Sequence, residues 1–366
     1  MRACLGAIAA LLLALAGAVA DKAAAQERVL NVYNWTDYMD PAVIERFTRE
    51  TGITVHYDTY DSLETLEGKL LAGNSGYDVV VPTSEPTFSR LIRAGALQPL
   101  DRAEVPHLAD EDPALLRRVE SSDPGNRYGA IYLWGTIGLG QVPSEIEALA
   151  PGAPLDSWAL LLDPANARRV APCGVTMMDS ATDVIPTVLK YLGHDPDSTS
   201  AADLADVERA LMAIRPLIRA FASGGAVEAL AANQTCLAFT YSGDAIQASV
   251  RAREAGQKPV AYVAPREFAQ LWFDMLAIPR DAPHAADANR FINFLLQPDV
   301  MAAITNRVHY PNALPASRPL IESSILADPD IYPPPEALAR FFTIHAPSQA
   351  AERARTRMWA RFKAGR

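Results

Sequence analysis

Asn34-Trp35-Thr36-Asp37-Tyr38 places two aromatic faces, a hydroxyl and a carboxylate directly after the alternating run Arg28-Val29-Leu30-Asn31-Val32-Tyr33. Aromatic faces and an anion together attract an ammonium group. The same residues also suit a strand-to-helix turn in which Thr36 or Asp37 caps a helix opening near Pro41. Similar sets recur far along the chain: Ser242-Gly243-Asp244 after Tyr241, then Trp272-Phe273-Asp274, then His309-Tyr310. Four separate loops with one chemistry suggest a single cleft lined for a cation.

The carboxylates in these segments are Asp37, Asp183, Asp244 and Asp274, with Glu85 as a further candidate. Paired carboxylates would serve a glycosidase, which needs two of them flanking a bond. Here they lie among Trp35, Tyr38, Tyr241, Trp272 and Tyr310, with Thr83 and Ser223 as neutral polar groups. That mixture suits ammonium groups at the ends of a ligand and methylenes stacked between rings. Each residue also has a plain structural use: Asp183 as a first-turn helix acid, Asp244 as the cap of a helix running to Arg251, Trp272 as core.

Other chemistries find little footing. The six histidines are scattered without metal-ligand spacing, so neither a metal nor a cofactor is expected. No G-x-x-x-x-G-K loop cradles phosphate, and no serine sits in a G-x-S-x-G elbow. No enzyme activity is indicated.

The elements that would position these residues alternate. Strands are expected near residues 28–35, 53–60, 77–82, 127–134, 136–142, 174–178, 237–241, 259–263 and 271–278. Helices are expected near 41–50, 62–72, 203–221 and 285–296. Short β-rich runs separated by helical lengths predict doubly wound parallel α/β sheets, whose ligands collect at the carboxyl ends of strands.

The first twenty residues join an early arginine, a short apolar core and Ala18-Val19-Ala20, the marks of a secretory signal peptide. A competing cleavage site would extend it to residue 25. About 340 mature residues exceed what one core usually organises, so two lobes are expected. Export leaves Cys173 and Cys236 in an oxidising compartment, which favours a disulfide over two buried free thiols. The net charge of −10 argues against nucleic acid. The basic end, from Arg353 onward, interleaves Met358, Trp359 and Phe362 and predicts a terminal helix with one packed face.

The whole mature chain resembles the periplasmic polyamine-binding proteins of ABC transporters, and within them the putrescine-binding branch. The likeness is carried by Tyr33-Asn34-Trp35-Thr36-Asp37-Tyr38, Glu50-Thr51-Gly52-Ile53, Leu66-Glu67-Gly68-Lys69-Leu70, Asp78-Val79-Val80-Val81-Pro82 and Asp156-Ser157-Trp158. Later matches are Cys173-Gly174-Val175, Gly243-Asp244, Phe273-Asp274, Pro298-Asp299-Val300 and Ile331-Tyr332-Pro333-Pro334.

The resemblance implies the type II two-lobe periplasmic binding protein fold, α/β, with crossing strands as hinge. Residues 27–134 and 259–303 would form one lobe, and 135–258 and 304–366 the other. It implies a periplasmic monomer that captures a linear polyamine, putrescine first, and hands it to ABC permease subunits. Its ligand set would be Trp35, Thr36, Asp37, Tyr38, Thr83, Asp183, Ser223, Tyr241, Asp244, Trp272, Asp274 and Tyr310, with Cys173 and Cys236 paired as in the family. Tyr241 stands where a Trp is usual and Asp183 where Glu is common. Thr36 and Trp272 look more like the spermidine-binding members, which leaves a spermidine-preferring or broad polyamine binder, or a sensor, as the competing reading. An exported carboxylate-dependent hydrolase is the reading from another class.

Overall fold

The computed structural model describes residues 28–60, 62–222 and 226–365. The signal-peptide segment and Ser223 lie outside these residues.

The described residues form ten strands: β1 (Val29–Trp35), β2 (Thr54–Tyr60), β3 (Val79–Val80), β4 (Leu97–Gln98), β5 (Gly129–Gln141), β6 (Val175–Met178), β7 (Ala220–Ala222), β8 (Leu237–Tyr241), β9 (Ala261–Val263) and β10 (Gln270–Pro279). Their order is β2-β1-β3-β10-β5-β8-β6-β7, with β4 beside β10 and β9 beside β5. β1 pairs in parallel with β2 and β3, and β6 in parallel with β7 and β8. These are the two doubly wound halves.

β5 and β10 join them. The first part of β5 pairs with β10, whereas residues from Ile137 to Gln141 pair with β8. The two strands expected near 127–134 and 136–142 are therefore one. Gly135, between the two expected strands, is a point of close approach: a Cβ there would meet the Trp272 ring at 2.5 Å. β5 is buried along its whole length, as a strand crossing between two covered halves must be. β9 pairs with β5 at Leu139, Gly140 and Gln141, on the side of β8.

The helix expected across 203–221 spans Ala201–Ile214 and stops before Pro216, after which the chain makes a short turn and then β7. Proline lacks the amide N–H that the helix interior needs, so the apolar run beyond it is free to become strand. The basic end forms the helix Gln349–Ala364, capped by Ser348, with Met358, Trp359 and Phe362 buried. Trp359 and Phe362 pack edge-on against Phe221.

Cys173 and Cys236 form a disulfide, their Cα atoms 5.5 Å apart. It ties the turn before β6 to the residue before β8. No described helix is long and apolar enough to cross a membrane.

Candidate functional site

β10 supplies the centre of the site. Its pairing with β5 shifts register between Asp274 and Met275, and Asp274 makes an isolated bridge to Thr83. Thr83 donates to the Asp274 carboxylate at 2.6 Å, and Asp274 is only 4% exposed. Burial raises its pKa to about 7, against the stabilising influence of Thr83, Tyr38 and Trp35. The Tyr38 hydroxyl and the Trp35 indole N–H face this carboxylate without completing hydrogen bonds of ordinary geometry. They are donors in waiting around an acid that has no basic side chain within ion-pair distance among the described residues.

A second acidic group lies across the cleft. Asp183 stands in the first turn of the helix Ala181–Tyr191, where Ser180 caps its backbone N–H. Its carboxylate accepts from Ser180 Oγ at 2.7 Å, Tyr241 Oη at 2.9 Å and Gln270 Nε2 at 2.9 Å. Burial pushes its pKa up despite these donors. Asp244 lies in the first turn of the helix Ser242–Glu254 and receives a long contact from Tyr310 Oη at 3.5 Å. Burial takes its pKa to about 6. Both acids are half-buried.

The aromatics connect these ends. Tyr38 meets Tyr310 edge-on at 5.4 Å, Tyr310 meets Trp272 at 5.2 Å, and Trp272 meets Tyr241 at 5.9 Å. The result is a continuous wall of rings from the Asp274 end to the Asp183 end. Tyr310 reaches it because His309 ends the preceding helix in the left-handed conformation, at φ 59°. It also needs Gly243: a Cβ at that position would lie 1.9 Å from the Tyr310 ring.

The structure thus brings together Trp35, Tyr38, Thr83, Asp183, Tyr241, Asp244, Trp272, Asp274 and Tyr310. Thr36 and Asp37 stand apart from that centre, on the turn that follows β1. Thr36 is exposed and touches the Tyr60 carbonyl at 3.4 Å. Asp37 adopts φ 54°, and its exposed carboxylate lies 4.0 Å from Arg251 on the helix Ser242–Glu254. Glu85 is buried, accepting from Ser89 at 2.6 Å and Ser122 at 2.9 Å. With Thr83, Asp183 and Trp272 it lines a narrow cavity beside the site.

Sequence reasoning missed Gln270 and Ser180. Ser180 carries a readable signal, the S-x-x-D capping pattern with Asp183. Gln270 carries a weaker one, a lone amide at the head of the apolar run that becomes β10.

The sequence profile of a family described as bacterial extracellular solute-binding protein matches residues 42–332. The chain is 44% identical over 359 residues to the putrescine-binding periplasmic protein SpuD of Pseudomonas aeruginosa, covering 97% of this chain and 98% of that one. It is 41% identical to the putrescine-binding periplasmic protein PotF of Escherichia coli, over 94% and 93% of the two chains. Among solved structures, the spermidine/putrescine ABC transporter substrate-binding protein PotD of Streptococcus pneumoniae superposes with a TM-score of 0.79 at 27% identity, over 92% of this chain and 99% of that one.

Proposed function

The chain belongs to the bacterial extracellular solute-binding proteins, and from that premise we propose that it captures putrescine in the periplasm and presents it to the permease of an ABC transporter. It works as a monomer, by binding rather than by chemistry. The observation that carries this reading is Asp274, a buried carboxylate in an aromatic-walled cleft with no cationic side chain beside it among the described residues.

A buried carboxylate without a cationic partner is costly, and a desolvated ammonium facing it offsets that cost through charge-assisted hydrogen bonds. One ammonium of the diamine lies against Asp274, with Thr83, Tyr38 and Trp35 around it. The other lies against Asp183 and Asp244. The four methylenes run along Trp272 and Tyr310, whose faces favour both apolar and cationic neighbours.

Without ligand, three acids facing one cleft repel each other and favour separation of the lobes. The dication removes that repulsion and binds the closed form better, which shifts the hinge equilibrium carried by β5 and β10. Asp37 and Arg251, both exposed, lie 4.0 Å apart. The closed complex is what the permease distinguishes from the empty protein.

Titration calorimetry with putrescine, cadaverine, agmatine, spermidine and spermine tests the proposal. Putrescine should bind at one equivalent and more tightly than spermidine. A spermidine preference of tenfold or more, about 1.4 kcal/mol, would move the chain to the spermidine-binding reading. No heat with any amine would remove the polyamine reading itself.

A further inference from the structure

Gln270 stands at the head of β10 and is 1% exposed, and no sequence motif marks it as part of a site. Its amide lies 2.9 Å from an Asp183 oxygen. An ionised carboxylate only accepts hydrogen bonds, so the group facing it is the NH2, which settles the orientation of the amide. The carbonyl Oε1 then turns the other way and has no partner among the described residues. Gln270 borders the cavity that Thr83, Glu85, Asp183 and Trp272 also line.

Buried carbonyls without a donor are uncommon in folded proteins. Several neighbouring donors are engaged elsewhere: Tyr241 Oη with Asp183, Thr83 Oγ1 with Asp274, and Arg118 Nη2 and Nη1 with the carbonyls of Leu338 and Phe341. Trp272 Nε1, on the same cavity, is itself without an acceptor among the described residues. A primary ammonium offers three N–H groups, more than one carboxylate edge can receive. A neutral carbonyl beside Asp183 takes one of them without adding to the repulsion among the acids of the empty cleft.

Building on the polyamine reading, we infer that Gln270 Oε1 is a direct ligand contact that accepts a hydrogen bond from the ammonium held by Asp183. Gln270 then recognises the ligand as well as orienting the acid. The competing occupant is a single water bridging Gln270 Oε1 and Trp272 Nε1, in which case Gln270 acts only through Asp183.

A double-mutant cycle separates the two. Putrescine binding is measured by calorimetry, with displacement titration for weak variants, on the parent, Gln270→Leu, Asp183→Asn and the double variant. A direct contact makes Gln270→Leu weaken binding about tenfold in the parent and at least fivefold in the Asp183→Asn background. The inference is overturned if the loss disappears in that background, or if Gln270→Leu binds like the parent. Should the leucine variant fail to fold, Gln270→Asn draws the carbonyl back by one methylene and is read in the same cycle. A parent that binds no amine overturns the polyamine reading itself, and this assignment with it.

Discussion

Lowering the pH from 8 to 5 should weaken putrescine binding by on the order of 100- to 1,000-fold, because the empty site holds protons that the amine must displace. Burial raises Asp274 to about 7 and Asp244 to about 6. At pH 8 both acids are ionised. At pH 5 Asp274 is about two units below its midpoint and Asp244 about one, so the doubly ionised form is roughly one molecule in a thousand. Putrescine, with amines of lysine-like pKa, stays a dication throughout. The bound ammonium groups pull both midpoints down, so binding releases protons and affinity climbs with pH until it levels above about 7.

The sign also reaches stability. A carboxyl whose folded pKa is raised stabilises the empty protein on the acid side and loses that contribution as pH rises through about 4 to 7. Ligand-induced thermal stabilisation should therefore be larger at pH 8 than at pH 5. Titration calorimetry across this range, repeated near pH 6.5 in buffers of different ionisation heat, measures affinity and proton release together. Equal affinity at pH 5 and 8, or an apparent enthalpy independent of buffer, would refute the reasoning.

Asp274→Asn and Asp244→Asn should each weaken putrescine by about 2 to 5 kcal/mol with circular dichroism unchanged, while a change at the exposed Asp110 leaves binding as it is. Gly243→Ala should cost about 1 to 3 kcal/mol of stability and weaken binding, because the added methyl meets the Tyr310 ring rather than a flexible chain end; melting temperature and calorimetry read both effects. Reducing the disulfide opens a loop of sequence separation 63, which the chain-entropy relation values at about 4 kcal/mol, and denaturant titration with and without reductant measures that loss.

Much of this architecture is legible in the sequence because burial leaves periodic traces. The runs that become β1, β2 and β8 are bounded by turn residues and read as strands at once. β5 reads as two strands because its glycines mimic a break, whereas their purpose is to admit Trp272 and Tyr262 against the backbone. β7 is hidden behind a helical pattern that only Pro216 interrupts.

For the site, the recurrence of aromatic and acid in four loops is what pointed to one cleft, and Asp274, Trp272, Tyr38 and Tyr310 do meet there. The direction of each side chain is a separate matter. Trp35 ends a strand and faces inward, and two residues later the left-handed turn at Asp37 sends its carboxylate toward Arg251. The weak sequence signal of Gln270 falls short for a related reason: nothing in a lone glutamine reports that one end of its amide will be used and the other left free.

A crystal structure of the putrescine complex tests the central claim most directly. One ammonium should lie within hydrogen-bond distance of the Asp274 carboxylate, the other within reach of Asp183 and Asp244, and the methylenes against Trp272 and Tyr310. Putrescine bound with both nitrogens away from Asp274, or outside the ring of aromatics altogether, would contradict it.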